Sequence, residues 1–190
     1  MQEDPHYWFA KPYADFVQRL RVPSGFLLLV AFAWFSQPSI TSLIAGLPVA
    51  VLGLFIRAWA AGHLQKNQAL STAGPYAYVR NPLYVGTLLS AAGIILAGRS
   101  VVLALLSCFV FLLVYLPAIE LEEQHLRKLF PAYGAYAAGV HRFLPLSKCD
   151  AGETAFSWRL YLRNQEYKAL LGFLLALAWL LKRWLGTVLR

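Results

Sequence analysis

Within residues 117–127, Pro-Ala-Ile-Glu-Leu-Glu-Glu-Gln-His-Leu-Arg, three carboxylates, an imidazole and a guanidinium follow directly on an apolar run. Ionisable groups at the edge of such a run are costly unless they are paired or functional. On a helix, Glu120 and Glu123 at i, i+3 share a face with Arg127, while Glu122 points elsewhere. Carboxylates so placed can hold an ammonium or hydroxyl group, or take a proton. The same charges also suit a solvated helix start favoured by the helix dipole. A second cluster occupies residues 70–86, where Gly74-Pro75 fixes a turn and Tyr76, Tyr78 and Tyr84 supply polar-tipped aromatic faces. Arg80 adds a fork of donors suited to a carboxylate or phosphate. By residue type alone, an interfacial aromatic belt with a snorkelling arginine would look the same.

The elements that must carry these clusters are apolar helices. The 190 residues are 59% hydrophobic and 15% aromatic with mean hydropathy +0.54, which points to a single membrane domain with an all-α helical bundle. Runs long enough for a bilayer core of about 30 Å give five expected spans: Val22–Phe35, Ser39–Ile56, Pro82–Gly98, Val101–Ile119 and Ala169–Leu189. Tight turns at Ser36–Ser39 and Gly98–Ser100 predict two antiparallel hairpins. Phe9, Tyr13, Phe16, Val17 and Leu20 recur at helical spacing and predict an amphipathic helix ahead of the first span. The chain then divides into 1–61 with that helix and two spans, 62–146 with spans three and four, and 147–190 with a loop and the last span. Pro131 interrupts the stripe Leu126, Leu129, Phe130, Tyr133, Tyr136 and predicts a kink or a break into two helices.

Five spans divide the 17 Lys and Arg residues thirteen to four between the two sides, which predicts that the N-terminus and both long polar segments face the cytoplasm. All nine Asp and Glu fall on that same side. The formal charge of +8 is then explained by topology and anionic headgroups, not by nucleic acid. Glu3 and Asp4 stand where a signal peptide would be basic, so no cleavable leader is expected. Cys108 and Cys149 give neither metal spacing nor a disulfide framework, and the four histidines never fall at i, i+4, so no protein-bound metal is expected.

The order of residues decides between the functional and bland readings. Gly74-Pro75-Tyr76-x-x-Val79-Arg80-Asn81-Pro82-x-Tyr84-x-Gly86 resembles the G-P-Y-x-x-x-R-H-P-x-Y-x-G signature of the isoprenylcysteine carboxyl methyltransferase family and the related phospholipid methyltransferases. Glu122-Glu123-x-x-Leu126-x-x-x-Phe130-x-x-Tyr133-x-x-Tyr136-x-x-x-Val140-x-Arg142-x-x-Pro145 is similar to the second signature of that family. The two together cover about Arg57 to Pro145. This resemblance implies a helical membrane enzyme with an S-adenosylmethionine pocket at the cytoplasmic ends of spans three and four, and a lipidic or prenylated small-molecule acceptor within the membrane lipids. Carried over by position, it implies that Tyr76, Arg80, Asn81, Tyr84, Glu123, Arg142, His63 and Lys66 bind the cofactor, with Glu123, Arg142 and Glu122 as catalytic residues.

The chemistry of that cofactor suits these residue types, because its carboxylate wants Arg or Lys, its ammonium and ribose want acceptors, and its sulfonium favours aromatic faces. Two departures from the family pattern stand out. Asn81 replaces the usual histidine and cannot titrate, and Pro131 replaces a glycine. A carboxylate acceptor needs no base at neutral pH, whereas an amine acceptor would need Glu122, Glu123 or His125. Ser90, Ala91, Ala92 and Gly93 would leave room for a lipid between helices or allow close helix packing. The rival readings are a sterol-reductase-type enzyme binding NADPH, and a non-catalytic membrane scaffold or small transporter.

Overall fold

The computed structural model describes residues 11–146, 149 and 154–189, and within them the secondary structure is helical with no strand. Helix α1 runs Lys11–Phe35, α2 Ile40–Ala61, α3 Pro82–Gly98, α4 Val101–Val110, α5 Leu116–Leu129, α6 Tyr133–Gly139, α7 Trp158–Arg163 and α8 Tyr167–Val188. A five-residue π segment, Phe111–Tyr115, joins α4 to α5 in one helix of 29 residues. Three helices are long and apolar enough to cross a bilayer: Ile40–Ala61, Val101–Leu129 and Tyr167–Val188. Helix α3, at 17 residues, is roughly 26 Å long and slightly short of the hydrocarbon core. The outward faces are apolar, with Leu105, Phe109, Leu174 and Leu175 exposed, the pattern expected where lipid is the solvent.

The amphipathic helix and first span expected as separate elements form one continuous helix, with Pro23 inside it. Of the expected apolar stripe, Val17 is buried against Val110 and Val114, Tyr13, Phe16 and Leu20 are exposed, and Phe9 lies outside the described residues.

The helix pairing also differs from the expected hairpins. Helix α2 packs along α3, α1 lies against α4, the π segment and α5, and the α3–α4 and α1–α3 contacts are slight. The reason is a matched pair of small-residue stripes: Gly46, Ala50 and Gly53 on α2 face Gly86, Ser90, Gly93 and Ala97 on α3. A Cβ on Gly93 would lie 2.6 Å from the Gly46 carbonyl oxygen, and one on Gly86 2.7 Å from that of Gly53, so the two backbones touch. Ser42 Oγ donates to the Ala97 carbonyl (2.9 Å) and Ser90 Oγ to that of Ala50 (3.3 Å), hydrogen bonds that hold the pair where lipid offers no hydrophobic drive. At the end of the bundle away from the polar clusters, Leu180 of α8 closes a core with Phe32, Leu43, Ala97 and Leu103. Arg183 there donates to the Ser36 carbonyl (2.9 Å), just beyond α1.

The π segment has a local cause. Pro117 lacks the N–H that would satisfy the Leu113 carbonyl four residues earlier. The Tyr13 hydroxyl donates to that carbonyl instead (2.8 Å), and so fixes α1 against the widened turn. The break expected at Pro131 is present: α5 ends at Leu129 and α6 begins at Tyr133.

Candidate active site

The loop between α2 and α3 is shaped by Gly74, whose φ of +61° favours glycine and whose missing Cβ leaves room for the His63 ring. A 3₁₀ turn, Gly74–Ala77, buries Tyr76 and leads to Asn81 ahead of α3. This loop is clipped to the later motif through the backbone: Arg80 N–H donates to the His141 carbonyl (2.9 Å) and Asn81 N–H to that of Arg142 (3.3 Å). The Tyr136 hydroxyl adds a bond to the Tyr76 carbonyl (2.7 Å). The two sequence clusters, distant along the chain, are thus one structural unit.

Between them lies a cavity of about 590 Å³, within the roughly 300–1,000 Å³ usual for small-molecule sites. Tyr76, Arg80, Asn81, Tyr84, Glu122 and His125 are on its wall. The Tyr84 hydroxyl donates to Glu122 Oε2 (2.8 Å), fixing that carboxylate at the cavity. The Tyr76 hydroxyl is buried and has no hydrogen-bond partner among the described residues. A buried, unpaired hydroxyl costs about 1–3 kcal/mol, and the residue that bears this cost is one of those on the cavity wall. Burial first, then the charges of Glu122 and the nearby Tyr136 and Glu166, push this phenol well above the ordinary tyrosine range and keep it neutral.

Behind the wall sits a buried ionic cluster. Glu123 accepts from Asn81 Nδ2 (2.7 Å) and from Arg142 Nε (3.1 Å) and Nη2 (2.7 Å). Arg142 Nη2 also donates to Glu120 Oε2 (2.9 Å), and Gln124 donates to Glu120 Oε1 (3.1 Å). Burial opposes the charge on Arg142, but Glu123 and Glu120 outweigh it and hold the guanidinium above its ordinary value. Arg80 lies 3.6 Å from Glu123 Oε1 and donates to the Ala137 carbonyl (3.1 Å). The cluster therefore sets the orientation of two side chains that do reach the cavity, Asn81 and Arg80.

Of the expected site residues, Tyr76, Arg80, Asn81, Tyr84, Glu122 and Lys66 line the cavity. Glu123 and Arg142 do not, because each is turned into the cluster behind Asn81. His63 is also placed differently from the expectation. Its Nδ1 meets the Trp59 carbonyl (2.8 Å) and its Nε2 that of Thr154 (3.0 Å), on the far side of the loop. Arg127 does not join Glu120 and Glu123, since its guanidinium lies over the Tyr133 ring and Arg142 takes the place expected of it. Two cavity residues were visible in the sequence only as charges to be counted, Arg21 on α1 and Arg57 on α2. Arg57 is held by Glu166, at the start of α8, and by the Thr87 hydroxyl. Nothing in local spacing could have paired residues 57 and 166. Among the described residues there is no group of three or more His, Cys, Asp or Glu that could hold a metal ion.

Comparison with known proteins places this geometry in a family. The chain is 31% identical over 126 residues to the cobalt-zinc-cadmium resistance protein CzcN of Cupriavidus metallidurans, an alignment covering 65% of this chain and 57% of that protein. It is 32% identical over 125 residues to the nickel-cobalt-cadmium resistance protein NccN of Alcaligenes xylosoxydans xylosoxydans, again 65% of this chain and 57% of the relative. The chain thus matches somewhat over half the length of these curated relatives. No solved structure matches it significantly. The profile of the phospholipid methyltransferases matches residues 24–133, from within α1 to the start of α6. With more than half its length matched, the chain belongs to the phospholipid methyltransferase family.

Proposed function

We propose that this protein is an S-adenosylmethionine-dependent methyltransferase of the membrane, acting on an isoprenylcysteine-like carboxylate or another lipidic acceptor. The observation that carries this reading is the cavity walled by residues of both motifs, among them Tyr76, whose buried hydroxyl has no partner among the described residues. Its donor set fits the cofactor. Glu122, Tyr76 and Asn81 suit ammonium and ribose groups, Arg80 and Lys66 suit a carboxylate, and the Tyr76 ring suits a sulfonium. The bound cofactor supplies an already activated methyl group, so the protein's task is alignment and exclusion of water.

Each residue has a separate part in that task. Tyr84 orients the Glu122 carboxylate, and Glu123 fixes the Asn81 amide, leaving the amide carbonyl to accept. Arg142 and Glu120 support Glu123 from behind as positioning residues. An amine acceptor would need a base, and Glu122 and His125 are the candidates on the wall. We further read the cavity as cytoplasmic, on the thirteen-to-four division of Lys and Arg between the two sides of a five-crossing chain. The relatives' names concern metal resistance and name no methyl acceptor.

Calorimetric titration of the detergent-purified protein with S-adenosylmethionine, S-adenosylhomocysteine and NADPH tests the reading, alongside Tyr76→Phe and Glu122→Gln. Adenosyl-ligand binding that both substitutions weaken is expected. Binding of NADPH alone would favour a sterol-reductase-like enzyme, and no binding of any of them a non-catalytic scaffold or small transporter.

A further inference from the structure

Three arginines reach the cavity wall, and they are not equivalent. Arg57 is paired with Glu166 and Thr87. Arg80 donates to the Ala137 carbonyl and lies beside Glu123. Arg21 is different: its guanidinium carbon stands 5.4 Å from the centre of the Tyr84 ring and 5.6 Å from that of Tyr115. No carboxylate or carbonyl among the described residues pairs with it. Two aromatic rings thus hold the guanidinium by cation–π attraction, and its in-plane N–H donors have no partner among the described residues.

This slot is built, not incidental. Tyr115 ends the π segment that Pro117 induces, and the bond from Tyr13 to the Leu113 carbonyl holds α1 against that same turn. Tyr84 is fixed from its other end by Glu122. The cavity wall also includes the apolar side chains of Leu83, Ala118 and Leu121. Arg21 itself lies outside the stretch matched by the family profile, residues 24–133. A partly buried guanidinium with free donors, beside an apolar wall, is suited to an anion carried on an apolar chain.

We propose that Arg21 binds the anionic group, carboxylate or phosphate, of an amphipathic methyl acceptor and so selects anionic over neutral acceptors. This rests on the reading of the cavity as a methyltransferase site, and it assigns Arg21 to the acceptor and not to the cofactor. The anionic end of the acceptor is held at the α1 side of the cavity, with its chain along the Leu83, Ala118 and Leu121 wall.

The test uses the full chain in a neutral maltoside detergent, with dodecanoate, dodecyl phosphate and dodecanol as probes and S-adenosylhomocysteine as the cofactor probe. Wild type, Arg21→Gln and Arg21→Lys are compared in the same micelles, so that partition into detergent cancels. Arg21→Gln should weaken one or both anionic probes by about tenfold or more, the loss of a charge-assisted hydrogen bond. Dodecanol and S-adenosylhomocysteine should bind the variant as they bind wild type, and Arg21→Lys should recover part of the anion affinity. The stronger of the two anionic probes identifies carboxylate or phosphate as the group. Equal binding of anionic and neutral probes by wild type, which needs no folded variant, would overturn the proposal. So would unchanged anion affinity in Arg21→Gln, or a parallel loss of S-adenosylhomocysteine. A wild type that binds dodecanoate or dodecyl phosphate but not S-adenosylhomocysteine would instead sink the methyltransferase reading and leave the anion site standing.

Discussion

Replacing Arg142 with methionine tests whether the buried ionic cluster is the support of the site. Arg142 makes bonds of 3.1 and 2.7 Å to Glu123 and 2.9 Å to Glu120, and these carboxylates are 2% and 3% exposed. Removing the cation leaves both without their main partner in a medium that solvates charge poorly. Gln124 still donates to Glu120 and Asn81 to Glu123, neither with a charge. The one remaining cation among the described residues, Arg80, stands 3.6 Å from Glu123 without a hydrogen bond to it, so Glu120 is the more stranded of the two. Breaking a buried pair from one side costs roughly 3–5 kcal/mol, mostly through the charge left behind. The single variant should therefore unfold at a clearly lower dodecyl sulfate fraction than wild type, followed by circular dichroism at fixed maltoside concentration. Adding Glu120→Gln and Glu123→Gln removes the stranded charges and should recover most of the loss. The reasoning fails if Arg142→Met unfolds with wild type, or if the triple variant is no more stable than the single one.

Gly93→Val should disrupt the α2–α3 pair, because the new side chain meets the Ala50 backbone nitrogen, with the Gly46 carbonyl oxygen at 2.6 Å and Ala50 Cα at 2.7 Å. A cost of about 3 kcal/mol or more is expected in the same unfolding assay. Gly134→Ala is the control: beyond its own stretch of helix no described atom lies within 4 Å of its added Cβ, and helix propensity favours alanine by about 0.5–1 kcal/mol. Tyr13→Phe removes the donor to the Leu113 carbonyl and should cost about 1 kcal/mol, with faster amide exchange at the start of α1. Tyr76, Tyr133 and Tyr136 are all raised above the ordinary tyrosine value, chiefly by burial. Their contribution to stability is full below the unfolded value near 10 and is lost as pH rises towards the folded values. Stability should thus fall above about pH 10, with phenolate absorbance appearing together with unfolding.

Local patterns in the sequence revealed much of this architecture. Apolar run lengths located α2, α3, α4 and α8, Pro131 marked the break between α5 and α6, and the order of residues in the two motifs led to Tyr76, Arg80, Asn81, Tyr84 and Glu122 on the cavity wall. Helix pairing was not legible from turn lengths. Short turns favour adjacent hairpins, but the glycine stripes of α2 and α3 match each other across the intervening loop. Side-chain direction was the second gap. Glu122 and Glu123 are neighbours in sequence, yet one faces the cavity and the other the cluster behind it. The third was distance along the chain, since neither Arg57 with Glu166 nor Arg21 with Tyr84 and Tyr115 leaves any periodic trace.

Methyl transfer itself is the most direct measurement. Membranes containing the protein would be incubated with S-adenosylmethionine labelled on its methyl group, and the label counted in the organic-solvent extract. Wild type should place label in that lipidic fraction above the level of membranes lacking the protein, and Glu122→Gln, which alters the carboxylate held at the cavity by Tyr84, should reduce it sharply. Label no greater than in membranes lacking the protein, from folded protein that binds neither the cofactor nor its demethylated product, would contradict the assignment of this cavity to methyl transfer.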